Sequence, residues 1–181
     1  MHGWHWPTAR SAMVNGATQS TFQNETQMPM GLSIHYNGKF NPQASLPEMI
    51  EEIEEIAQVF NWKYSIFKRD FPKLSFPAEH DGEIYGISVS HAQCEPMWFT
   101  FLSNGRMSSP ILLDVWGDET IPEEAEYLYQ LFTKTQYAGK ETHMLVVNLA
   151  RYISNKYFSS FNMSDEGQYW ESNDEKILEG I

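Results

Sequence analysis

The chain has one cysteine in 181 residues. No intrachain disulfide and no four-thiolate zinc site can form from it. Basic residues are scarce, 12 Lys and Arg against 24 Asp and Glu, for a net charge of −12. That sign repels a phosphate backbone and argues against nucleic-acid binding. No apolar run approaches the roughly 18–20 residues needed to cross a bilayer. Charged residues make up only 20% of the chain and Glu and Lys do not dominate, which excludes a coiled coil. The phosphate-loop pattern GxxxxGK[ST] is missing, and so is the EF-hand order of acids. What is present is aromatic and apolar: 14% aromatic and 41% hydrophobic residues, enough for a packed core. These bounds describe an acidic globular chain, expected to be cytoplasmic.

Residues 1–27 show neither helical period nor alternation, and they lack a basic start followed by an apolar stretch. They are expected to be a disordered extension, with one domain over 28–181.

The first regular pattern is the alternation of Leu32, Ile34 and Tyr36, which predicts a strand ending before a loop at NGKFNPQ. Ser45, Pro47 and Glu48 then form a helix-start signature. Behind them Leu46, Met49, Ile50, Ile53, Ala57 and Phe60 repeat at three and four, with Glu51, Glu52, Glu54 and Glu55 opposite. Strands are predicted over 62–70, 83–90 and 97–102. Asn104-Gly105 signals a hairpin, with a returning strand over 107–116 carrying Pro110. Thr120 and Glu123 have capping-box spacing, and Ala125, Leu128, Leu131 and Phe132 supply a helical stripe up to Gly139. A third helix over 140–157 reads as apolar nearly all round. A short strand at 161–163 and a frayed terminal helix complete the chain. Strands grouped together and helices late predict an α+β fold: one mainly antiparallel sheet of about five strands, with three helices chiefly on one face.

The blocks GLSIHYNGKF, HAQCEPMWFTF, KTQYAGKETH and DEGQYWE resemble a family of uncharacterised bacterial proteins that share them in this order. The resemblance brings with it no activity, cofactor or catalytic residue.

Site candidates therefore come from residue chemistry. His91 and Cys94 are three apart with Glu95 beside them, a spacing that suits a shared divalent metal or a nucleophile with its base. His35 on the first strand and His143 on the third helix are further metal-ligand candidates with His91 and Cys94. Asp165 and Glu166, in the polar block SDEGQYWESND, join His91, Cys94 and His143 as catalytic candidates. No cofactor-binding motif is found. The bland alternatives are a packed Cys, hydrogen-bonded core histidines and a solvated turn with an aromatic anchor. If His143 is buried, an acid of the SDEGQYW block or a backbone carbonyl must satisfy it. The functional expectation is a non-catalytic interaction or accessory protein that meets a basic protein surface. The alternative is a small metal-assisted hydrolase using the His, Cys and carboxylate residues.

Overall fold

The computed structural model describes residues 32–72 and 76–179. The N-terminal extension read over 1–27 lies outside them. Strand β1 (Ser33–Phe40) is followed by helix α1 (Leu46–Val59), then strands β2 (Lys63–Ile66), β3 (Tyr85–Ser90) and β4 (Met97–Phe101). Next come α2 (Pro110–Trp116), α3 (Pro122–Ala125), a 3-10 turn (Glu126–Tyr129) and β5 (Leu131–Lys134). The long helix α4 (Gly139–Tyr157) runs directly into β6 (Phe158–Asp165). A short α5 (Tyr169–Ser172) and a 3-10 turn (Glu175–Leu178) follow.

The class is α+β, but the strands form two three-stranded antiparallel sheets, not one of five. Their orders are β5-β1-β6 and β2-β3-β4. β1 does not stop at Tyr36: Asn37 and Gly38 stay in register with Asn162 and Phe161, so the expected loop is strand. The partner strand β6 is correspondingly longer than the 161–163 segment expected.

α1 forms as its sequence predicts. Ser45 accepts the Glu48 N–H at the cap, and Leu46, Met49, Ile50, Ile53 and Ala57 are buried. Three other expectations fail. The returning strand over 107–116 is only a bridge at Arg106 and Met107, after which Ser109 caps helix α2 by accepting the Leu112 N–H. Ser109 with Pro110 is itself a helix-start pair, and it overrides the apolar run behind it. The helix expected from Thr120 shrinks to α3 and a 3-10 turn, because Leu131 and Thr133 alternate inward as β5 against β1. Thr120 is no cap; its own N–H is bonded to the Glu119 carboxylate. α4 is not apolar all round: it buries one broad stripe through His143, Val147, Ala150 and Ile153 and exposes Leu145 and Tyr152.

α1 packs on β3, α4 on β6, and the two helices touch. One contiguous core runs through both sheets and both long helices. Its centre is a ring cluster in which Phe40 of β1 and Phe158 of β6 meet Phe101 of β4 at 5.1 and 5.2 Å for the 40–101 and 101–158 pairs. A smaller second core lies under α2, formed by Ile84, Leu102, Leu128 and Tyr129.

Candidate functional site

Two regions of the molecule carry unusual chemistry. The first is internal. β6 ends at Asp165, α4 passes beside it, and the turn after β5 brings up Thr135. The His143 ring is fully buried between them, with Nδ1 hydrogen bonded to Thr135 Oγ1 at 2.7 Å and Nε2 to Asp165 Oδ2 at 3.1 Å. Asp165 also accepts the backbone N–H groups of Gly167 (2.7 Å), Tyr169 (2.9 Å) and Trp170 (3.0 Å). One carboxylate thus closes the turn, starts α5 and holds the imidazole. Burial alone would raise the Asp165 carboxyl, but the hydrogen bond and charge of His143 and the N–H groups of Trp170 and Gly167 bring it below the usual carboxylate range. The Thr135 hydroxyl lies 3.3 Å from the Leu32 carbonyl as well. Thr135 can therefore donate to a bare Nδ1, or accept from Nδ1–H while donating to Leu32, so either state of the ring is satisfied. Gly167 packs tightly here: a Cβ would stand 3.1 Å from His143 Nε2 and 2.9 Å from Leu178 Cδ2, so those side chains would have to shift.

Hydroxyl, imidazole and carboxylate in line resemble the order of a nucleophile relay. Thr135 and the side chains of His143 and Asp165 have no exposed surface, however, so no substrate atom can reach the hydroxyl in this conformation. The chemistry available to the cluster is structural: it clamps β5, α4, β6 and α5 to one another.

The remaining candidates stand apart. His35 is exposed on the outer face of β1, 6.1 Å from the Phe132 ring. His91 lies in the loop after β3, where its Nδ1 accepts the Gln93 N–H. Cys94 is half-buried, and burial pushes its thiol up to about 11, the wrong direction for a nucleophile. Glu95 caps the edge of β5 by accepting the Lys134 N–H. Glu166 is turned outward from its neighbour Asp165 and accepts the Ser33 N–H at 2.9 Å. Among the described residues, no three His, Cys, Asp or Glu side chains gather as a metal site. The pairing of His143 with the SDEGQYW block was readable from the sequence; Thr135 was not, because its segment read as a helix end.

The second region is a surface the sequence reading missed. Six of the seven residues of α2, all but Asp114, are apolar or proline, and none of the seven is buried. Ile111 and Val115 are 66% and 61% exposed, and Ile121 and Tyr127 beside them are 49% and 53% exposed. The Tyr127 ring packs 5.2 Å from Trp116. Asp114, Asp118, Glu119, Glu123 and Glu124 lie on α2, on α3 and in the link between them, and form no ion pair among the described residues. A cleft of about 540 Å³ adjoins it, between Pro110 and Leu113 of α2 and Phe67, Gly82 and Ile84. The glutamate face of α1 differs: Glu52 is bound by Lys156, Tyr152 and Tyr157, and Glu54 by Tyr64 and Arg69. The surface was legible in principle as Ile111, Val115 and Ile121 interleaved with acids, but a strand reading of 107–116 hid it.

Comparison with protein-family models, with curated protein sequences and with solved structures found no match.

Proposed function

We propose that this chain is a non-catalytic interaction protein that docks a basic partner protein through the α2–α3 surface. The observation that supports it is the outer face of α2, where Ile111 and Val115 are exposed on a helix that has no fully buried residue. Leu112, Leu113 and Trp116 pack against the second core, while Ile111 and Val115 stand on the outer side of the helix in solvent, where they gain none of the burial that normally stabilises an apolar helix. A contiguous exposed apolar patch with a polar rim marks an interaction surface. The rim here is acidic and unpaired, which selects a cationic partner and speeds its approach. The aromatic pair Trp116 and Tyr127 is of the type that anchors interfaces. The hydrolase alternative has no comparable support: among the described residues its ligand candidates do not gather, and the His143–Asp165 pair has no exposed side-chain surface.

The test uses the full chain and a synthetic amphipathic helix of Lys and Leu as the probe, followed by amide shifts in NMR. Shifts should concentrate over 110–127 and weaken as salt rises. The double variant Ile111→Ser, Val115→Ser should bind at least about tenfold more weakly, the loss of about 1.4 kcal/mol expected for two truncated apolar anchors. Unchanged binding in that variant, or shifts centred on Glu51 and Glu55 of α1, would overturn the reading.

A further inference from the structure

β6 is an edge strand: among the described residues, β1 is its only ladder partner. Which of its backbone groups face outward follows from register. The Glu166 N–H bonds the Ser33 carbonyl, so the residues of β6 that exchange hydrogen bonds with β1 are 160, 162 and 164. The alternate residues Phe161 and Met163 then direct their N–H and C=O groups away from β1. Asp165 has the same parity, and its N–H does leave the ladder, to Glu171. No other backbone group bonds the outward groups of Phe161 and Met163 among the described residues.

Natural edges are blunted by lysine, proline or strong bulges. β6 has one bulge, at its Phe158 end, but from 158 to 164 it has no charged residue and no proline. The edge also opens onto space. A cleft of about 250 Å³ runs beside it, between Ser154 and Asn155 of α4, Phe158 and Phe161 of β6, and Trp170.

We infer that this edge pairs with the same edge of a second copy of the chain, β6 against β6 and antiparallel, about a two-fold axis through Asn162. Three features select a second copy over another strand. The first is register: centring on Asn162 sets Phe161 opposite Met163 of the second copy, and each such pair exchanges both backbone bonds. The side chains also match, with Phe161 beside Met163 on the inner, apolar face and the two Asn162 amides side by side on the outer face. The second is charge: each copy carries −12, yet they meet along a stretch that is neutral, so the edge is where like chains approach with least opposition. The third is direction: antiparallel pairing sets the Glu166 end of one strand against the uncharged Phe158 end of the other, whereas parallel pairing would set Glu166 beside Glu166. The product is a closed dimer with one six-stranded sheet, and no β6 edge remains to propagate it.

The experiment measures mass in solution by light scattering across the micromolar range. The full chain should give twice 21.0 kDa. Met163→Pro removes only the outward N–H, since Met163 does not bond β1, and proline is tolerated at a strand edge. That variant should keep its circular dichroism and fall to the monomer mass. If it does not fold, a second pair decides. Asn162 is exposed, so Asn162→Lys and Asn162→Glu should each fold, and each sets like charges across the axis. Each should be monomeric alone at low salt, and mixing the two should restore the dimer. A full chain that is monomeric throughout, species larger than a dimer, a dimer that survives Met163→Pro, or a Lys/Glu mixture that stays monomeric would overturn the inference.

Discussion

At the scale of single residues, the structure concentrates its polar investment at Asp165. Its carboxylate has no exposed surface and accepts four hydrogen bonds, three from backbone N–H groups and one from His143. Its folded-state carboxyl lies below the ordinary value. During acidification the unfolded chain therefore takes up a proton, near the unperturbed pKa of about 3.9, that the folded chain still refuses. The stabilisation is fully present above that value and is lost as pH falls through the lower, folded one. Asp165→Asn removes the charge while nearly keeping the shape. Its thermal midpoint should be lower than wild type at neutral pH, and its acid limb flatter; an acid limb identical to wild type would contradict the assignment. The sequence made half of this cluster legible, since a buried His on α4 needs a partner and the SDEGQYW block offers acids. It did not point to Thr135, whose role depends on β5 pairing with β1 some hundred residues away, as in the Ile34–Thr133 register. Nor could spacing show that His35 on β1 stands apart from the β3–β4 loop that carries His91 and Cys94, because the place of each is set by tertiary pairing.

Among the elements, β3 carries the tightest constraint. It is buried along its length except at Ser90, and it lies between β2 and β4. Gly86 interrupts it with φ +114, a conformation that side chains rarely adopt. A Cβ at that position would stand 2.2 Å from the Phe99 carbonyl oxygen on β4. Backbone strain and displacement of β4 together should make Gly86→Ala destabilising by about 3 kcal/mol or more. Urea denaturation checks this, and a loss below about 1 kcal/mol would show that β4 can retreat at little cost. Local signals decided which elements could be read in advance. α1 was legible because Ser45, Pro47 and Glu48 agree with the apolar period behind them. β5 was not, because Leu128, Leu131 and Phe132 fit a helical period as well as Leu131 and Thr133 fit a strand, and pairing with β1 settles the choice. α2 was not, because Pro110 suits a strand edge as well as it suits, after Ser109, the first turn of a helix, and the structure uses it as the latter. The α+β class survived these errors, since it depends on the grouping of elements more than on their bounds.

For the whole molecule, the question is why two separate sheets behave as one body. They are joined at two places along β1. At one end the Asn104-Gly105 turn crosses over: Phe40 N–H bonds the Gly105 carbonyl, and Met107 N–H bonds the Gly38 carbonyl. Near the middle of the strand runs a relay in which Trp98 N–H donates to the Tyr36 hydroxyl at 2.9 Å, Tyr36 to Thr133 at 3.2 Å, and Thr133 to the Pro96 carbonyl at 2.9 Å. Burial pushes the Tyr36 hydroxyl far above its ordinary value, so it stays a donor. Between the two seams lies the shared core, with Phe40 stacked edge-on to Phe101. Neither sheet can separate without exposing that core, so unfolding should be one transition. Amide signals of Asn162 in one sheet and Val89 in the other should therefore vanish at the same urea concentration. Tyr36→Phe keeps the ring and removes the hydroxyl, leaving the Trp98 N–H without its acceptor and Thr133 without its donor. The cost should be about 1–3 kcal/mol. Because the relay is only one of the joints, that cost should fall on both sheets together, moving the two midpoints down by the same amount. Midpoints that separate in the variant would mean that the relay, and not the common core, holds the sheets as a unit.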